Sequence, residues 1–203
     1  MIKAITFDLD GVYFVNGKAN FISNLNKLFN IPEENAKQVF LKSDQMNSQY
    51  KCGLISDNQF WSWATKEWQI KATPQELIDL LIKGCEVNPE VIEVINKVRH
   101  NNYKTLICSN NFPARINGLD KRFNFLKNFD AIALSYKVGT PKPDPRIFKE
   151  LINQSGVKAE EIVFADDNPD NLEGARNLGI KVFLYENFAQ FLSKLQSLGI
   201  KLD

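Results

Sequence analysis

Two aspartates one residue apart, Asp8 and Asp10, close the apolar stretch Ile2-Lys3-Ala4-Ile5-Thr6-Phe7 and are followed by Gly11. Alternation along a strand puts both carboxyl groups on one side and Leu9 on the other. One acid can then attack an electrophile while the other moves protons. Three later segments have the same character. Ser109-Asn110-Asn111 follows Lys104-Thr105-Leu106-Ile107-Cys108, Lys142 lies between Pro141 and Pro143, and Asp166-Asp167 follows Ile162-Val163-Phe164-Ala165. The Ser109 hydroxyl, with Asn110 beside it and free N–H groups at a helix start, can hold phosphate oxygens. Lys142 is a cation in an unusually rigid setting. Taken singly, each segment also has a plain reading: an Asp-Gly turn, a Ser/Asn helix cap, a solvated lysine. The tandem acids Asp166 and Asp167 are the exception, because charges at the end of a buried strand cost stability unless paired or bound to a metal.

A parallel α/β sheet gathers the carboxyl ends of its strands at one edge, so these segments can meet on one ligand. If they do, two carboxylates ~4 Å apart repel by roughly 4 kcal/mol at an effective dielectric near 20, and four could not all stay ionised without a cation. A metal is implied. Oxygen-only donors, with no His or Cys nearby, favour a hard ion, and Mg²⁺ is the usual one when phosphate completes the octahedron. The matching chemistry is phosphoryl transfer.

The elements needed to bring this about are legible. From Asn88 onward helix and strand patterns alternate: helices at 89–99, 113–127, 145–154, 169–178 and 188–198, and strands at 104–108, 131–134, 162–165 and 181–184. With the first strand they predict a doubly wound parallel sheet. Between about Tyr13 and Glu86 the pattern is helical, with segments at 19–29, 32–41, 56–68 and 74–83 and no convincing strand. The expected division is an α/β core of residues 1–13 and 87–203, with a small all-helical unit, residues 14–86, inserted. Phe60, Ala64 and Trp68 share one helix face with Trp61 beside it, which suits the core of a small bundle, while Trp63 lies off that stripe.

Composition excludes several classes. Lys plus Arg total 25 against 24 Asp plus Glu, so no global field marks a nucleic-acid or membrane-surface binder. A small molecule is the expected partner. Three scattered cysteines, Cys52, Cys85 and Cys108, form neither a disulfide framework nor a zinc site, and no apolar stretch reads as a signal peptide or membrane span; a cytoplasmic location is expected. The single histidine, His100, lies in a polar connecting segment without a Gly-x-Ser-x-Gly elbow, which removes hydrolases that depend on histidine.

In their order, the four segments resemble those of the haloacid dehalogenase superfamily, in the type that carries a helical cap after the first motif. Asp8-x-Asp10-Gly11-Val12 matches the first motif, Ser109-Asn110 the second and Lys142-Pro143 the third. Asp166-Asp167, with Asn171, Gly174-Ala175-Arg176 and Gly179, matches the fourth. The resemblance implies that Asp8 is a nucleophile forming an aspartyl-phosphate, and that Asp10 protonates the leaving alkoxide and then activates water. It implies that Ser109 and Lys142 bind the phosphoryl group. It also implies that Mg²⁺ is held by Asp8, the Asp10 carbonyl and Asp167, with Asp166 near or bound. A halide leaves without a proton, so Asp10 favours a phosphatase over a dehalogenase; the hinge lacks the His of phosphosugar mutases. A binding module that keeps the fold without catalysis is the rival from another class. The turn Tyr50-Lys51-Cys52-Gly53-Leu54-Ile55 is expected to touch substrate, with Tyr50 and Lys51 as specificity residues. The expected enzyme is a Mg²⁺-dependent phosphatase of small phosphorylated metabolites, monomeric or a small homo-oligomer.

Overall fold

The computed structural model describes residues 1–203. The first strand, β1 (Ala4–Phe7), is buried along its whole length, as its unbroken apolar run requires. A two-residue strand, β2 (Phe14–Val15), leads into a helical layer of α1 (Gly17–Phe29), α2 (Glu33–Lys37), α3 (Asp57–Glu67) and α4 (Pro74–Lys83). The chain leaves it through β3 (Glu86–Val87). There follow α5 (Pro89–His100), β4 (Lys104–Ser109), α6 (Pro113–Phe123), β5 (Ala131–Leu134), α7 (Ser135–Val138) and α8 (Pro145–Ser155). β6 (Ile162–Asp166), α9 (Glu173–Asn177), β7 (Lys181–Leu184) and α10 (Phe188–Ser197) complete the chain.

The five long strands form one parallel sheet in the order β5-β4-β1-β6-β7. β1 is therefore central. The chain first builds outward through β4 and β5, then returns to the other side of β1, and the crevice at this reversal is where open α/β sheets bind ligands. Separate hydrophobic clusters cover the two faces: one contains Ile5, Phe7, Val91, Ile95, Ile107 and Phe191, the other Leu106, Phe148, Leu151, Phe164 and Ala175. Fold class and the five strands of the parallel sheet agree with the sequence pattern, and the short helix α7 is an addition to the helices it predicts. No helix is long and apolar enough to cross a membrane.

The helical layer has its own buried cluster around Phe21, Phe40, Trp61, Trp68 and Leu81. Capping boxes start two of its helices: Ser56 with Gln59 before α3, and Thr73 with Glu76 before α4. Phe60, Trp61 and Ala64 are fully buried and Trp68 nearly so, as the helix-face argument requires.

Three local expectations differ. The entry and exit of this layer are not strand-free, because Phe14–Val15 pairs antiparallel with Glu86–Val87; two residues are too few to show alternation in sequence. The expected helix at 32–41 breaks after Lys37 into a wide π-helical turn, Gln38–Lys42, and a second, Gln45–Tyr50, follows where an open loop was expected. The layer is also not self-contained, since Phe112 and Ala114, from the start of α6, belong to its cluster.

Candidate active site

Register brings the site together. Phe7, the last residue of β1, lies opposite Ile107 of β4 and Ala165 of β6, so the residues that follow each emerge at one rim. The ladder extends one step further, with the Asp8 N–H donating to the Ala165 carbonyl at 3.3 Å. Leu9 turns into the core while Asp8 and Asp10 line a cavity of about 550 Å³. That cavity is walled by thirteen residues, eleven of them polar or charged with Pro141 and Pro143 completing the wall, which suits a polar ligand.

At its floor Lys142 is almost fully buried and bridges two carboxylates. Its Nζ donates to Asp8 Oδ1 at 2.8 Å and to Asp166 Oδ2 at 2.5 Å, and lies 5.3 Å from the centre of the Phe164 ring. Asp166 is buried; its other oxygen accepts from the Asn168 N–H and from Asn171 Nδ2, both at 2.9 Å. Two devices hold the lysine in place. The Asn110 carboxamide clasps the Lys142 main chain, accepting from its N–H at 2.7 Å and donating to its carbonyl at 3.0 Å. Gly174 lies beneath the same loop, where a Cβ would fall 1.8 Å from the Pro143 carbonyl oxygen.

Asp167 is exposed on the cavity wall, next to Gly11. Gly11 has φ +82°, and a Cβ there would sit 2.1 Å from Asp167 Oδ2, so only glycine lets the first and fourth segments approach. One carboxylate oxygen from each of Asp8, Asp166 and Asp167 falls within 4.8 Å of the others. This all-oxygen trio suits a hard divalent cation.

Asp10 has partners that sequence reasoning missed. Arg115 of α6 grips it with two prongs, Nη1 to Oδ2 at 2.6 Å and Nη2 to Oδ1 at 2.5 Å, while Lys18 Nζ lies 3.3 Å from Oδ2. Arg115 is only 2% exposed, and its Nε has no partner. An arginine in the first turn of a helix gives no sequence signal of a partner more than a hundred residues away.

The charges respond to these surroundings. Burial pushes Asp8 up to about 6 against the pull of Lys142, with Asp166 and Asp10 adding to the rise. Burial also acts to raise Asp10, but Arg115 and Lys18 outweigh it and hold the carboxyl far below the usual range. Burial disfavours the Lys142 ammonium, yet Asp8 and Asp166 more than compensate and hold it charged. Asp167 is raised, by burial first and by Asp166 second.

Of the residues singled out in the sequence, Asp8, Asp10, Asn110, Lys142, Asp167 and Lys51 line the cavity. Asp166 and Ser109 lie beneath it; Ser109 is 1% exposed and its Oγ accepts from Asn111 Nδ2 at 3.4 Å. Two expectations change. The Asn110 side chain is spent on the Lys142 main chain, so it positions the lysine instead of facing a phosphate. Tyr50 is not a specificity residue: it is fully buried, stacked between Phe60 and Phe112 with both centroid distances 4.5 Å. Its hydroxyl donates to Asp57 Oδ1 at 2.6 Å and accepts from Trp61 Nε1 at 3.2 Å. The apolar ring turned inward because the segment before it is helical. Lys18 and Asn47, which also line the cavity, carried no motif.

Similar proteins agree with this architecture. An uncharacterised Dictyostelium discoideum protein is 27% identical over 219 residues, covering 91% of each chain. Bifunctional epoxide hydrolase 2 of Rattus norvegicus is 23% identical over 216 residues; the match takes in 96% of this chain and only 38% of that protein. A haloacid dehalogenase family enzyme from Bacteroides thetaiotaomicron, solved in complex with magnesium and inorganic phosphate, superposes with a TM-score of 0.77 at 23% identity, covering 94% of this chain and 99% of that one. The model of haloacid dehalogenase-like hydrolases matches residues 2–179, and the chain belongs to that hydrolase family.

Proposed function

We propose that this hydrolase is a Mg²⁺-dependent phosphatase of small phosphorylated metabolites, acting through a phosphoryl group carried on Asp8. The observation that carries the reading is the buried Lys142 bridging Asp8 and Asp166, with Asp167 beside them on the wall of a predominantly polar cavity. A magnesium and phosphate complex of the structurally similar Bacteroides enzyme supports the same choice of ion and group.

The donor set fits the metal: the carboxylates of Asp8 and Asp167 and the Asp10 main-chain carbonyl would hold it, with Asp166 adjacent. When bound, Mg²⁺ supplies charge neutralisation to the carboxylates and to the phosphoryl oxygens. The protein's own groups divide the remaining work. Asp8, ionised above about pH 6, attacks phosphorus, forming the Asp8 Oδ–P bond as the bond to the leaving oxygen breaks. Lys142 Nζ, fixed between two acids, screens the equatorial oxygens, and the main chain at Ser109 and Asn110 offers N–H donors. Asp10 takes a proton from the water that opens the acyl-phosphate, and that base role suits a carboxylate held ionised by Arg115. That proton replaces the one neutral Asp10 gives the leaving alkoxide in the first half of the cycle, the harder half of its work because Arg115 disfavours the neutral acid. An acid at position 10 at all favours phosphate esters over halides, which leave unaided.

In this reading residues 14–86 act as a cap over a core of residues 1–13 and 87–203, with the β2–β3 ribbon as its hinge and Lys51 as the residue the cap presents to substrate. The test is release of inorganic phosphate from p-nitrophenyl phosphate and a panel of metabolite esters, with Mg²⁺ and with EDTA. Turnover should require the metal and vanish in Asp8→Asn. Metal-independent turnover, or an active Asp8→Asn enzyme, overturns the proposal.

A further inference from the structure

Lys51 is a lysine held toward the cavity with no acid of its own. Its Nζ donates to Asn47 Oδ1 at 2.9 Å and forms no ion pair. Asn47 is itself fixed, its Nδ2 donating to the carbonyls of Leu41 at 2.9 Å and Ser43 at 3.2 Å. The ammonium is therefore held on the wall that the helical layer contributes. Lys18, from the start of α1, faces the same cavity. Burial is the main influence lowering Lys51, to about 8, and the like charge of Lys18 is the next. Lys18 already has Asp10 as a partner at 3.3 Å and Lys51 has no acid in contact, so an anion bound at Lys51 relieves both its dehydration and its repulsion from Lys18. The floor lysine, Lys142, is separately occupied with Asp8 and Asp166.

We infer that Lys51, set by Asn47 and aided by Lys18, forms a second anion subsite. The substrate is then a phosphate monoester whose alcohol portion carries another anionic group, a carboxylate or a second phosphate, on a polar skeleton without an apolar part. This rests on the phosphatase reading and narrows it. The polar skeleton follows from a cavity wall in which eleven of thirteen residues are polar or charged. A charge-assisted hydrogen bond to such a group corresponds to about tenfold to a hundredfold in kcat/KM.

Matched esters test it. One arm compares 3-phosphoglycerate with glycerol 3-phosphate, which differ in a carboxylate; the other compares fructose 1,6-bisphosphate with fructose 6-phosphate, which differ in a phosphate. The parent protein with Mg²⁺ should prefer the more anionic member of one pair by at least about tenfold in kcat/KM. Lys51→Met should bring that ratio close to one, and Lys51→Arg should keep most of it. Lys51→Gln, more soluble, repeats the measurement should the methionine variant not fold. Ratios near one in both arms for the parent overturn the subsite while leaving the phosphatase reading intact, since the esters are still hydrolysed. An equal loss on both members in Lys51→Met also overturns it, by assigning Lys51 to the transferring phosphoryl. Failure of the parent on every ester, p-nitrophenyl phosphate included, defeats the phosphatase reading and the subsite together.

Discussion

Replacing Lys142 by methionine removes the one cation between two buried carboxylates and changes little in side-chain length. Lys142 is 3% exposed, Asp8 5% and Asp166 0%, so water cannot take over the lost charge. Removing one partner of a buried ion pair costs about 3–5 kcal/mol. Two hydrogen bonds to a charged group, at about 1.5–3 kcal/mol each, give a similar figure. For a chain of 203 residues this is a fall in Tm of about 10 °C. The loss should depend on pH in a definite direction. Asp8 in the folded parent already titrates at about 6, above its ordinary value, so its ionisation weakens the fold as pH rises from about 4 toward 6. Without Lys142 the burial that raises Asp8 is unopposed, and the weakening extends to higher pH. Below about pH 4, where Asp8 is protonated in the folded state, the variant should approach the parent. Urea denaturation in EDTA at pH 5 and pH 8, with unchanged m, measures the difference. A loss under about 1 kcal/mol at pH 8, or an equal loss at both pH values, refutes the buried-charge argument.

Arg115→Met should release Asp10 from its two-pronged grip and raise the Asp10 carboxyl toward or above its ordinary range, followed by NMR titration of the carboxyl carbon; an unmoved Asp10 titration contradicts the pairing. Tyr50→Phe removes bonds to Asp57 and Trp61 and should cost about 1–3 kcal/mol in urea denaturation, with KM values unchanged; a selective rise in KM restores Tyr50 to the substrate. Gly174→Ala puts a methyl group into the Pro143 carbonyl and should displace the Lys142 loop, lowering kcat at least about tenfold and Tm by several degrees; near-parent kcat shows the loop is not held from below.

Strands and the residues that line the candidate site were the most legible parts of this sequence, for one reason. β1, β4 and β6 are short, continuous apolar runs that end in polar residues, so the same boundary marks both the strand end and the site. Asp8, Asp10, Lys142 and Asp167 could be picked out because each breaks such a run or sits in a rigid turn. Arg115 and Lys18 could not. Both lie on amphipathic helices where a basic residue is ordinary, and only the tertiary fold brings them to Asp10. Tyr50 misled because a residue's position in a connection was taken for exposure. The π-helical turn Gln45–Tyr50 carries it inward, while Lys51, one residue further, faces the cavity. A one-residue step around a helical turn rotates a side chain by ~100°, enough to exchange core and ligand faces. The ribbon Phe14–Val15 with Glu86–Val87 was invisible because two residues carry no period.

The central claim is that Asp8 itself carries the phosphoryl group. Mixing the Mg²⁺-loaded protein with a radiolabelled phosphate ester and quenching in acid within milliseconds traps any acyl-phosphate for peptide mapping. Hydroxylamine-labile label is expected on the peptide containing Asp8, formed and lost at rates compatible with kcat and absent from Asp8→Asn. Steady hydrolysis with no label on the protein, or label at another residue, contradicts it.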